Sequence, residues 1–180
     1  MAAAALHALG RADEIADRWS DRPAAAMLRP VLDRRTTAPA TSSAGRLFDA
    51  ACGLLDIHPV AAFEGQAPMA LEKLATAPEV MADGWRLDGN VLDMRPVLAV
   101  LADLRDARRG ANLFHGTLAA ALAEWTAAAA RAEGLSVVGL SGGCFFNKVL
   151  VAELTPRLEA AGLTVLTHRL TVPGAPCVAL

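Results

Sequence analysis

The sequence has 180 residues, 54% of them hydrophobic, and a mean hydropathy of +0.34, so it can bury a core and is not a disordered segment. Lys and Arg number 17 against 19 Asp and Glu, a net charge of −2 that gives no electrostatic footprint for nucleic acid. No apolar run reaches membrane-spanning length, and the three widely spaced cysteines form neither a disulfide framework nor a CxxC metal site, so a reducing cytoplasm is the expected compartment.

The Ala-rich start lacks a basic n-region and soon meets Arg11, Asp13 and Glu14. It is therefore expected to be a helix and not a signal peptide. Leu6, Leu9, Ile15 and Trp19 share a face, which predicts one amphipathic helix over 2–19. Its abrupt start suggests that a partnering segment is missing. A short helix over 24–32 follows, then a Pro- and Thr-containing loop to Thr41. In TSSAGRLFDAACGLL, Ser42 or Ser43 can cap a helix whose apolar positions are Leu47, Phe48, Ala51, Leu54 and Leu55. Asp49 lies among core-type residues there. On its own pattern it reads as a solvated acid near a helix N-terminus.

FEGQAPM is a turn in which Gly65 can take positive φ, and Pro68 suits the first turn of the next helix. Residues 84–93 predict a small hairpin turning at Asp88-Gly89-Asn90. Pro96 opens a helix through Arg105, and the cluster Arg105 to Arg109 reads as its solvated C-terminal end. A long helix over 111–132 carries Phe114, Leu118, Leu122 and Trp125 on one side. His115, near its start, has no second His three or four residues away, so it reads as packed or half-exposed and not as a ligand.

SVVGLSGGCFFNKVL predicts a buried strand over 137–140, a tight turn at Ser141-Gly142-Gly143, and a helix from Phe145 to Ala161. Glycines allow close backbone approach, and the unpaired amides of a first helical turn attract anions, so the stretch is a candidate phosphate site. Packing alone can also explain such a turn. It is not a Walker A loop, because GxxxxGK[ST] is absent. Cys144 could be activated at a helix N-terminus, but no base can be assigned to it and packing is the better reading. Gly162 ends the helix and LTVLTH is a second strand, so the last third predicts a parallel α/β unit with a right-handed crossover. The last ten residues read as loop.

Three segments, TSSAGRLFDAACGLL, FEGQAPMALEKLA and FHGTLAAALAEW…VVGLSGGCFFNKVL, occur in an order and at separations that resemble the C-terminal region of the HypF family. The opening MAAAALHALGRADEIADRW extends that resemblance over nearly the whole chain. HypF proteins are the carbamoyltransferases of nickel–iron hydrogenase maturation. The resemblance implies an α/β fold: the C-terminal lobe of an actin-like (sugar kinase/Hsp70-type) ATPase fold, helix-rich with a small mixed sheet. It would be one partial domain over 1–180, mainly helical to 110 and a nucleotide-binding unit from 111. It implies ATP and carbamoyladenylate as ligands, and transfer of the carbamoyl group to the C-terminal cysteine of the partner HypE.

Residue by residue, the resemblance gives Asp49 the ribose hydroxyls, in place of the solvated role above. It sets Gly65 and Gln66 on a turn approaching the nucleotide, and Gly142 and Gly143 as the glycine pair of a GGxxxN element with Asn147 as its asparagine. Asn147→Ala is then expected to remove ATP affinity and leave folding intact. The family's Mg, Zn or Fe site uses two histidines upstream of this sequence and an aspartate in an Asn-Asp-Gly-Gly element, where this chain reads VPGAPCVAL. Stoichiometric metal is therefore not expected, and no catalytic residue is assigned. A chain truncated at both ends is expected to be inactive alone, or to need a separate chain supplying the histidine lobe. The different-class alternative is a non-catalytic module that binds a nucleotide or a partner. Carbamoylation of another acceptor is a minor third reading.

Overall fold

The computed structural model describes residues 1–34, 38–58, 62–63 and 65–167. The expected first helix is broken into α1 (Ala2–Ala8) and α2 (Glu14–Arg18). Gly10 takes φ +74°, and the Arg11 amide turns back to the Leu6 carbonyl at 2.8 Å, which ends α1. The helical spacing survives the break in its packing, because Leu6, Ile15 and Trp19 all reach the core. Arg18 donates to the carbonyls of Ala102 (2.7 Å) and Leu54 (2.6 Å), satisfying the exposed ends of two later helices.

Helix α3 (Ala25–Asp33) and helix α4 (Ala44–Leu54) agree with the sequence reading. Ser43 is the residue before α4, but its hydroxyl makes no capping bond; its own amide bonds Thr41 Oγ1 at 3.1 Å. Gly65 at φ +82° opens α5 (Gln66–Leu74). The hairpin of β1 (Arg86–Asp88) and β2 (Val91–Asp93) is antiparallel, with Leu87 opposite Leu92. It is tied to the long helix by Trp85 Nε1 to Glu124 (2.9 Å) and Trp125 Nε1 to the Asn90 carbonyl (3.3 Å).

Helix α6 (Arg95–Asp103) stops before the basic cluster, and α7 (Ala107–Glu133) begins inside it. Arg108 and Arg109 thus start a helix and do not end one. The reason is Asp106, whose side chain accepts the Arg109 amide at 3.0 Å and so nucleates a new N-terminus. Gly134 at φ +66° closes α7 and releases the chain into β3 (Val137–Leu140). The next helix, α8 (Lys148–Ala160), starts later than the predicted Phe145, because a 3-10 turn over Gly143–Phe146 comes first. β4 (Thr164–Thr167) then pairs parallel to β3, Val137 with Thr164 through Leu140 with Thr167.

The fold is α/β and helix-rich. Among the described residues the expected mixed sheet is two separate two-stranded ladders, one antiparallel and one parallel, the hairpin being anchored on α7 instead of on β3. The core sits between α1, α4, α6, α7 and α8, around Leu6, Phe48, Leu101, Phe114, Leu118 and Leu154. No described helix is long and apolar enough to cross a membrane. His168, VPGAPCVAL and Cys177 lie outside the described residues.

Candidate functional site

A cleft of about 1600 Å³ opens along α4, the start of α5 and the turn before α8. Asp49, Gly65, Gly143 and Asn147 all line it, drawn from segments up to 98 residues apart in the chain (147 − 49). Two other expected residues do not line it. Gly142 is the neighbour of a lining residue, and Gln66 turns its side-chain carbonyl to the Ala62 amide at 2.6 Å, closing its own loop. Arg46, Glu72, Lys148 and Phe146 also line the cleft. The sequence reading missed them as site residues because a lone charged residue or a phenylalanine on a helix has no spacing that marks it.

Helix geometry brings Asp49 to the cleft one turn after Arg46. Arg46 Nη1 donates to Asp49 Oδ2 at 2.7 Å, an i,i+3 pair near the helix start. A carboxylate has about four acceptor positions, so Asp49 keeps capacity for hydroxyl donors besides its arginine. Its negative charge is felt by both neighbouring thiols. Burial first, and the Asp49 charge second, push Cys52 up to about 12. The same two causes raise Cys144 above its ordinary value. Cys52 is fully buried, with Sγ 2.9 Å from the Ala67 carbonyl. Both thiols are held toward the protonated form, and Cys144 forms part of the wall of the cleft.

The glycine turn differs from the simple anion site read from the sequence. Two of the amides at the start of α8 are already engaged: Lys148 N–H bonds the Glu72 carboxylate at 2.8 Å, and Leu150 N–H bonds Asn147 Oδ1 at 2.8 Å. Helix α8 therefore presents a capped N-terminus. Open space lies instead over the turn itself. A Cβ built on Gly65, Gly142 or Gly143 meets no atom within 4 Å. Gly142, at φ +107° and ψ 165°, has a backbone conformation that is essentially reserved for glycine. A glycine wall, a carboxylate and a side-chain amide suit a neutral, hydroxyl-bearing ligand with a flat polar edge. They do not fit a tightly held metal, since no group of three His, Cys, Asp or Glu is placed to bind one among the described residues.

Asn147 itself is buried, only 7% exposed. Besides capping α8 it meets His115 Nε2 through Nδ2 at 2.9 Å. His115 is fully buried, where the sequence allowed a packed or half-exposed residue, and burial holds its pKa below the ordinary value. Asn147 is thus a structural residue as well as a lining one. Its replacement cannot leave folding untouched.

Known proteins with similar sequences carry one activity in their names. Residues 1–180 match the family described as carbamoyltransferase, Kae1-like domain, second subdomain. Carbamoyltransferase HypF2 of Cupriavidus necator is 43% identical over 210 aligned positions, which take in all of this chain and 26% of that protein. Carbamoyltransferase HypF of Rhizobium leguminosarum bv. viciae is 40% identical over 94% of this chain and 23% of its own length. The chain spans about a quarter of these relatives, and half of a second Cupriavidus necator protein, a HypF homolog at 41% identity. In structure it resembles a crystal structure of full-length HypF in its phosphate- and nucleotide-bound form, with TM-score 0.77 and 24% identity over 92% of this chain and 23% of that one. It also resembles HypF of T. kodakarensis, with TM-score 0.74 and 22% identity over 95% of this chain and 24% of that one. The chain belongs to the HypF carbamoyltransferase family, in the part described as the second subdomain of the Kae1-like domain.

Proposed function

We propose that the cleft forms one wall of the carbamoyl-transfer site and holds the nucleotide part of carbamoyladenylate, acting as a C-terminal lobe of an actin-like ATPase fold. The observation that carries this reading is the meeting of Asp49, Gly65, Gly143 and Asn147 on one cleft. Asp49 would accept from the ribose hydroxyls, the glycine backbone would pass close to the ligand, and Asn147 would meet a polar edge. Carbamoyl phosphate and ATP would supply the adenylate; in the transfer, the carbamoyl carbon's bond to the AMP oxygen breaks and its bond to the HypE cysteine sulfur forms, the thiol proton passing to solvent. AMP leaves with the bonding electrons. No residue of this chain is assigned to move a proton in that step, and no step is routed through a metal. A wall on one side of a ligand orients it and excludes water on that side alone. Turnover would therefore require a second wall, and this chain by itself would bind without transferring.

Calorimetric titration of the chain with ATP, and separately with AMP, tests the reading. Binding that weakens about tenfold or more in Asp49→Ala is expected, the loss of a charge-assisted hydrogen bond being worth about 1.5–3 kcal/mol. Identical affinity in the variant would remove Asp49 from the site. A second reading, a docking module without turnover, is favoured by the apolar exposure of Leu28, Phe63, Met69 and Phe146 along the same cleft. Capture of HypE unaffected by Asp49→Ala would support it.

A further inference from the structure

We propose that His115 is a positioning residue for the cleft: it fixes which way the Asn147 carboxamide faces, and so which hydrogen-bonding groups the cleft offers. This rests on the nucleotide reading only for its functional consequence. His115 Nδ1 lies 2.8 Å from the Ala111 carbonyl, one helical turn back. A carbonyl only accepts, so Nδ1 carries the proton. In a neutral imidazole Nε2 is then an acceptor, and its partner at 2.9 Å, Asn147 Nδ2, is the donor.

The other end of the same carboxamide is fixed independently, because Asn147 Oδ1 accepts the Leu150 amide at 2.8 Å. Flipping the amide would break both ends at once, setting an oxygen against a lone pair and an N–H against an N–H. Asn147 is left with one N–H and one lone pair, in a single arrangement, for anything in the cleft. The linkage runs from the α7 backbone through His115 and Asn147 to the cap of α8.

The imidazole is enclosed on every side that the structure describes. From α4, Phe48 meets it edge-on with ring centres 5.7 Å apart, and from α7, Phe114 does so at 5.7 Å. The charge that reaches it is Glu72 of α5, itself bonded to the Lys148 amide. The N-cap of α8 contributes the Asn147 amide. Burial opposes protonation more than Glu72 favours it, so the neutral form that the geometry needs is the form the surroundings keep. In acid, a proton on Nε2 would face the Asn147 NH2, and the bond holding that end of the carboxamide would be lost.

The test is nitrogen-15 NMR on the full chain without ligand, joined to ATP titration of two variants. The expected signature is a protonated Nδ1, a bare Nε2 that takes its proton only below the ordinary histidine range, and protected Asn147 side-chain protons. His115→Gln can restore an acceptor; His115→Phe cannot. ATP affinity is expected to fall about tenfold in His115→Phe and to stay within about threefold in His115→Gln, the difference being one buried hydrogen bond. The Asn147 protons should lose protection in the Phe variant alone.

An Nε2-protonated tautomer, or Asn147 protons unchanged in His115→Phe, overturns the proposal. So does an equal loss of ATP affinity in the two variants. If His115→Phe does not fold, the NMR signature of the unaltered chain and the Gln variant decide. The expected signature in a chain that binds no ATP would defeat the nucleotide reading and leave the Asn147 orientation established.

Discussion

The glycines of α7 and the glycines of the cleft serve opposite ends. A Cβ on Gly116 would stand 2.3 Å from the Glu79 carbonyl oxygen, so α7 and the irregular segment at Glu79 approach only because the side chain is absent. Gly110 is comparable, with Leu55 2.3 Å from its missing Cβ, although Leu55 is a side chain that can move. Gly142 and Gly143 meet nothing within 4 Å. The first pair belongs to packing. The second leaves room that the folded chain itself does not fill, and Gly143 opens that room onto the cleft.

Substitutions sharpen this contrast. Gly116→Ala should be the most damaging, costing about 3 kcal/mol because backbone, and not a flexible side chain, must give way; urea unfolding reads it directly. A loss below about 0.5 kcal/mol would show that α7 and the 79 segment can slide apart at little cost. Asn147→Ala comes next, at about 2 kcal/mol in the same measurement, since it removes the α8 cap and strands the His115 lone pair.

Acid should act more weakly, and with a defined sign. His115 binds its proton less readily folded than unfolded, so its contribution is full above the unfolded value of 6.5 and is lost as pH falls through the lower folded value. Unfolding free energy measured against pH should therefore decline below 6.5, less so in His115→Gln. Gly143→Ala should change stability least, within about 0.5 kcal/mol, while weakening ATP binding. Stability lost without any change in binding would move Gly143 to the packing class.

These cases also show what a sequence can and cannot disclose. Hydrophobic spacing announced α4, α6 and α7, because each buries an apolar stripe, and Gly-containing turns announced the hairpin and the ends of α7 and α8. Spacing failed at Gly10, where a left-handed residue broke a helix without breaking its apolar face. It failed again at Asp106, a cap hidden among arginines. Gly65 and Gly143 stood out as turn glycines on their own pattern, whereas Asp49 and Asn147 were singled out only by family resemblance. His115 escaped because its partner lies 32 residues away, and the bond between them exists only once α7 and α8 pack.

The placement of the tryptophans gives the molecule an optical handle. It contains no tyrosine, so its ultraviolet emission comes from Trp19, Trp85 and Trp125. Trp85 and Trp125 fasten the hairpin to α7, whereas Trp19 is packed in the core and borders the cleft. Replacing the first two with phenylalanine leaves a single chromophore beside the opening. Its intensity and colour then report events in the cleft with no label attached.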